Sequence, residues 1–122
     1  MIEQSIFDDI KKVNGYLGAV LSDYTGEVLV SDTNSIKKLD ETSMRFNEDF
    51  RNLHDVTSKL SLGMLHDMQL SMDKADIVMT CSGADQRVHL HAFVILEKGA
   101  STSLAKMALT EVVNDAAASL TK

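Results

Sequence analysis

The run Asn14-Gly15-Tyr16-Leu17-Gly18-Ala19-Val20-Leu21-Ser22-Asp23-Tyr24-Thr25-Gly26-Glu27-Val28-Leu29-Val30 constrains this chain more than any other. From Tyr16 to Ser22 the residues are apolar or small on both faces, as in a central strand covered above and below. Gly18 and Ala19 leave room for close helix packing. Asp23-Tyr24-Thr25-Gly26 suits a tight turn, the aspartate bonding the backbone and the glycine supplying positive φ. A second strand, Glu27 to Asp32, completes a hairpin and so commits the chain to antiparallel pairing.

At the other end Leu96-Glu97-Lys98-Gly99-Ala100-Ser101 marks a strand that stops at a glycine before a long helix begins. From Thr102 that helix carries Leu104, Ala105, Ala108, Leu109, Val112, Val113, Ala116 and Leu120 over about half its circumference, which predicts deep burial. Ile2, Ile6, Ile10 and Val13 recur at helical spacing before the Asn14-Gly15 stop. A long central helix is predicted from Phe46, Phe50, Leu53, Val56, Leu60 and Met64, with Asp40 and Thr42 as capping candidates and Gly63 as the end. Met68, Leu70 and Met72 alternate with Gln69 and Ser71, which predicts a strand exposed on one face. Asp73-Lys74 then turns the chain into a strand over Ile77 to Cys81, and Ser82 to Arg87 connect to a last strand, Val88 to Glu97. The expected fold is α+β, a five-stranded antiparallel sheet flanked by helices in the order α-β-β-α-β-β-β-α, as one domain over residues 1–122.

At 122 residues roughly two-thirds of the unfolded surface can be buried, enough for a core without disulfides. Cys81 is the only cysteine and cannot pair within the chain, which favours a reducing compartment. The N-terminus lacks the basic and apolar regions of a secretory signal and no apolar stretch approaches a membrane span, so a soluble, cytoplasmic protein is expected. A net charge of −6 and only three arginines, Arg45, Arg51 and Arg87, argue against a nucleic-acid partner. Proline is absent and glycine sparse, leaving no linker or repeat to divide the chain.

His89 and His91 stand two apart on a predicted strand and share a face, as metal ligands often do. A loop centred near Asp85 would place Cys81 opposite His89 as a third ligand. Met79, Phe93 and Ile95 fall on that same face and neither a fourth ligand nor a supporting carboxylate is evident, so a partly buried packing surface with hydrogen-bonded histidines is the favoured reading. His54 and His66, twelve residues apart, read as surface residues. Cys81 has no neighbouring basic residue to activate it as a nucleophile. Gly15, Gly18 and Gly26 begin a strand or close a hairpin, the wrong context for a phosphate loop. Asp8, Asp9, Asp23, Glu48 and Asp49 form no spaced catalytic pair. No catalytic, cofactor or metal residues are assigned on this basis.

Five of seven methionines, Met44, Met64, Met68, Met72 and Met79, cluster in the central helix and the two strands after it. They fill a core or form a surface for a second copy. The third strand lacks edge protection and invites pairing. Leu62 and Leu65 point away from the main helical stripe, giving a predicted self-association surface of Leu62, Leu65, Met68, Leu70 and Met72.

The element order, with Val13-Asn14-Gly15-Tyr16-Leu17-Gly18-Ala19, Asp23-Tyr24-Thr25-Gly26 and Gly99-Ala100 in sequence, resembles the Roadblock family of dynein light chains and bacterial GTPase regulators. The resemblance spans almost the whole chain. It implies a homodimer joined through third strands and second helices, binding a small Ras-like GTPase as an adaptor or regulator without enzymatic activity or a cofactor. Arg45, Arg51 and Arg87 carry no feature that marks an arginine finger. The alternative reading is a small-ligand or metal sensor using the sheet face of Cys81, His89 and His91.

Overall fold

The protein was analysed as a computed structural model, which describes residues 2–33, 36, 38–83 and 87–121, and only the backbone of Asp40. Five antiparallel strands form one sheet in the order β2-β1-β5-β4-β3: β1 Tyr16–Asp23, β2 Val28–Asp32, β3 Asp67–Ser71, β4 Ala75–Cys81 and β5 Leu90–Glu97. Helix α1, Leu39–Ser58, and helix α2, Thr102–Leu120, complete the elements expected after the first strand. Among the described residues no helix is long and apolar enough to cross a membrane.

The hairpin forms as its sequence dictates. Asp23 Oδ1 accepts from the backbone N–H groups of Thr25 at 2.9 Å and Glu27 at 3.1 Å, and Gly26 takes φ of 99°. β1 is central and buried on both sides, Ala19 and Leu21 facing one core and Val20 the other. Gly18 makes the room for a helix that was expected of it and room for a strand as well. A Cβ there would lie 2.8 Å from the Asp32 carbonyl oxygen and 3.3 Å from Leu39 Cδ2, so its missing side chain admits the neighbouring strand as well as the start of α1.

The opening segment differs from the expected α-helix. It makes two 3-10 turns, Gln4–Phe7 and Ile10–Lys12, closed by three-residue bonds such as Asp8 N–H to Ser5 O and Val13 N–H to Ile10 O. Phe7 and Ile10 are its fully buried anchors. Their spacing of three eclipses side chains in a 3-10 turn, and so short a segment gains little from propagating an α-helix. Ile2, Ile6 and Val13 only half-bury against the same core.

The sheet separates two cores. α2 and the 3-10 turns cover one face, packing Ala105, Leu109, Val112, Val113 and Ala116 against Leu21, Val78, Val94 and Leu96. Ser101 caps α2 by accepting from Leu104 N–H at 3.2 Å. Leu104 and Leu120 of the predicted stripe remain exposed, so burial of this helix is narrower than expected. α1 covers the other face through Leu39, Phe46 and Phe50 against Val20, Ile77, Met79, Phe93 and Ile95.

α1 also departs from expectation at both ends. Lys38, in left-handed conformation, occupies the cap position, and Thr42 Oγ1 donates back to the Lys38 carbonyl at 3.0 Å instead of capping. The proposed cap at Asp40 lies outside the described side chains. The helix stops at Ser58, before Gly63, where Thr57 and Ser58 hydroxyls donate to the carbonyls of Leu53 and Asp55. Positive φ at Ser61 and Gly63 then turns the chain toward β3.

Candidate functional site

The inward face of α1 follows the predicted stripe only at Phe46 and Phe50. Ser43, Asn47 and Phe50 are buried and His54 and Thr57 half-buried, whereas Leu53, Val56 and Leu60 point outward. Val56 and Leu60 are 57 % and 58 % exposed, and Leu62, just beyond the helix, is 84 % exposed. These residues continue into the edge strand. Met68 and Leu70 pair with Met79 and Ile77 across β4, so they lie on the α1 face of the sheet, half-buried with Leu65, and Met72 is exposed at the strand's end.

The outer edge of β3 is the second feature of this flank. Cys81 N–H donates to His66 O and Met72 N–H to Ala75 O, which fixes the alternation: positions 66, 68, 70 and 72 bond toward β4. The backbone N–H and C=O groups of Asp67, Gln69 and Ser71 therefore point away from the sheet. Among the described residues no strand pairs with them. An exposed apolar stretch therefore leads, along the sequence, into an unpaired strand edge.

On the same face, at the end of β4 where β3 begins, four side chains converge. His54 from α1, Cys81 at the end of β4, His89 just before β5 and His91 on β5 each offer one donor atom, and all four atoms lie within 4.8 Å of one another. Cys81 Sγ and His91 Nε2 are each 3.0 Å from His89 Nε2. Gly83 N–H donates to Cys81 Sγ at 3.2 Å. His91 Nδ1 lies 2.6 Å from Asn47 Oδ1, and the Asn47 amide nitrogen donates to Tyr24 O at 2.9 Å, so the amide oxygen is turned to His91.

Burial disfavours charge throughout this cluster. It pushes His91 down to about 3, with the His89, His54 and Arg51 charges adding and Asp23 opposing. His89 is lowered by burial, then by His54 and Arg51; His54 is lowered by burial against the opposing pull of Asp55. All three imidazoles are therefore neutral at pH 7. Outside them, Tyr24 stacks on His89 at 5.3 Å and Arg51 lies 5.4 Å above the Tyr24 ring. A surface pocket of about 240 Å³, lined by Tyr24, Arg51, His54, Asp55 and His89, opens onto the cluster.

No protein-family model matches the chain, and no curated protein matches it. Solved structures do. A Roadblock/LC7 domain from Streptomyces avermitilis superposes with a TM-score of 0.79 at 12 % identity, covering 94 % of this chain and 93 % of that one. The chain has the Roadblock/LC7 fold. An MglB with a tetrameric arrangement shares this fold, with a TM-score of 0.77 and 14 % identity over 93 % of this chain and 83 % of that one. Myxococcus xanthus MglB gives 0.76 at 11 % identity over 94 % and 88 %.

Within the Roadblock fold, the sequence-predicted residues separate. Leu62 and Met72 are open to solvent, while Leu65, Met68 and Leu70 are half-buried by their own sheet. His89, His91 and Cys81 do meet on one face with Met79, Phe93 and Ile95. The register pairs Cys81 with His91, not with His89 as a loop centred at Asp85 requires; Asp85 itself lies outside the described residues. His54 is not a detached surface residue but the fourth member of the cluster. Its signal was its spacing, four after Phe50 and seven after Asn47, on the inward helix face. Arg45 pairs loosely with Asp49 at 3.5 Å and Arg87 is exposed.

Proposed function

We propose that this chain is a dimeric, non-catalytic adaptor of the cytoplasm that binds and regulates a small Ras-like GTPase. The observation that carries the reading is the unpaired outer edge of β3, which the chain enters through the exposed Val56, Leu60 and Leu62. Exposed apolar surface of this kind, beside a strand edge, is covered most simply by a second copy under two-fold symmetry. Two β3 strands pairing antiparallel would continue the sheet, with Leu62, Leu65, Met68, Leu70 and Met72 at or beside the junction. The tetrameric arrangement of one MglB supports a surface of this fold that associates with itself.

The GTPase partner follows from the resemblance to Roadblock proteins, and the sheet and helices spanning such a dimer would supply one broad face for it. Regulation would work by holding the partner's own switch segments, because none of Arg45, Arg51 and Arg87 is presented as a finger. The test is capture from the native host with the purified chain as bait, comparing lysates loaded with GTP and GDP analogues. Enrichment of one Ras-like GTPase in one nucleotide state is expected. Its absence in both states, from a bait that is dimeric by sedimentation, refutes the GTPase assignment.

A further inference from the structure

We propose that His54, Cys81, His89 and His91 form a closed, four-ligand zinc site that pins the middle of α1 to the ends of β4 and β5. The donor set suits the ion. Three imidazoles and one thiolate are borderline-to-soft ligands, and four protein donors leave no open position, which is the arrangement of a structural site rather than a hydrolytic one.

Hydrogen bonding alone leaves this cluster unbalanced. Asn47 Oδ1 can only accept a hydrogen bond, so His91 carries hydrogen on Nδ1 and, while neutral, turns a bare Nε2 toward His89. His89 Nε2 faces both that lone pair and Cys81 Sγ at 3.0 Å, with at most one hydrogen to share while neutral. His54 Nε2 is buried and has no hydrogen-bond partner among the described residues. Such an orphaned buried nitrogen is unfavourable unless something meets it. A cation at the centre answers every one of these atoms at once.

Geometry and surroundings agree. Zinc–nitrogen bonds of about 2.0–2.1 Å and a zinc–sulfur bond of about 2.3 Å place tetrahedral ligands roughly 3.3–3.6 Å apart. The separations here, from 3.0 Å to no more than 4.8 Å, bracket that range, so side-chain adjustments on the order of 1 Å suffice. Asn47 acts from behind the site, fixing the tautomer and ring plane of His91 as carbonyl partners of zinc-bound histidines do. The Gly83 N–H directed at Cys81 Sγ favours the thiolate. The pocket between Tyr24, His54 and Asp55 provides the path for entry.

The experiment uses the full-length, untagged chain. Elemental analysis after purification in zinc-containing buffer should find one zinc per chain. After chelator stripping, titration with cobalt(II) alone should give tetrahedral ligand-field absorption and a thiolate-to-cobalt charge-transfer band. Cys81→Ser should lose that band. His54→Ala, with water taking the fourth position, should bind cobalt more weakly by roughly 10-fold or more, and His66→Ala should bind it as wild type does. Asn47→Ala should weaken zinc binding roughly 10- to 100-fold while keeping the charge-transfer band. Should Cys81→Ser fail to fold, His54→Ala, on a half-exposed helical position, decides alone. Sub-stoichiometric zinc, six-coordinate cobalt without a thiolate band, or equal retention by wild type and His54→Ala overturns the assignment.

Discussion

Leu62 sits in the turn after α1 with 84 % of its surface in water, so replacing it perturbs the folded monomer little. Exposed substitutions of that kind stay within about 0.5 kcal/mol of neutral. If a second copy covers this flank, the same side chain is buried once in each protomer. Complete burial of a leucine is worth about 1.5–3 kcal/mol, and 84 % of that, counted twice by the symmetry, gives roughly 2.5–5 kcal/mol. At about 1.4 kcal/mol per decade, Leu62→Asp should raise the dimer dissociation constant roughly 60- to 4,000-fold, with carboxylate desolvation adding to it. Sedimentation equilibrium over a dilution series measures the constant, and urea unfolding below the dissociation range measures the monomer. A dissociation constant unchanged by Leu62→Asp, or a change matched by an equal loss of monomer stability, refutes the role assigned to this flank.

Phe50 is fully buried and its ring lies 4.8 Å from that of His91 and 4.9 Å from that of His54, so Phe50→Ala should destabilise by about 3–5 kcal/mol, read by urea unfolding. Gly18→Ala places a methyl 2.8 Å from a backbone carbonyl that cannot yield without moving β2, and a loss of about 1–3 kcal/mol is expected in the same assay. Asp76 accepts from Lys98 Nζ at 2.9 Å, which holds its carboxyl below the usual range. Because the folded value is the lower one, this contribution is full above the ordinary carboxylate value of about 3.9 and is lost as pH falls through the folded value. Lys98→Met should therefore shrink the stability difference between about pH 5 and pH 2, and an unchanged acid limb counts against the pair.

The strand skeleton was legible because its signals are local. Asp23 and Gly26 specify the hairpin turn by their own chemistry, and Ser101 with Gly99 announces α2. Cys81, His89 and His91 shared a face because alternation along strands requires it, although the exact register depended on a loop whose length in the ladder cannot be read from composition. The α1 orientation was not legible. Beside Phe46 and Phe50 its inward face carries the polar Ser43, Asn47, His54 and Thr57, while Leu53, Val56 and, beyond the helix, Leu60 continue the predicted stripe on the outside. A periodicity argument assumes that every apolar position marks the chain's own core; here that holds for Phe46 and Phe50 and fails over the second half of the helix. That reversal also hid His54, whose partners stand 27, 35 and 37 residues further along the sequence. The opening turns were misjudged for the opposite reason: apolar spacing was compatible with an α-helix, but only Phe7 and Ile10 reach the core.

The central claim is that the outer edge of β3 is completed by a second copy of the chain, and amide hydrogen exchange tests it residue by residue. The N–H groups of Met68 and Leu70 bond toward β4 and should be protected at every concentration, whereas those of Gln69 and Ser71 point outward. On raising the protein concentration through the dimerisation range, Gln69 and Ser71 should pass from rapid exchange to protection, and Leu62→Asp should keep them rapid. Rapid exchange at Gln69 and Ser71 at all concentrations, with Met68 and Leu70 protected throughout, contradicts the account.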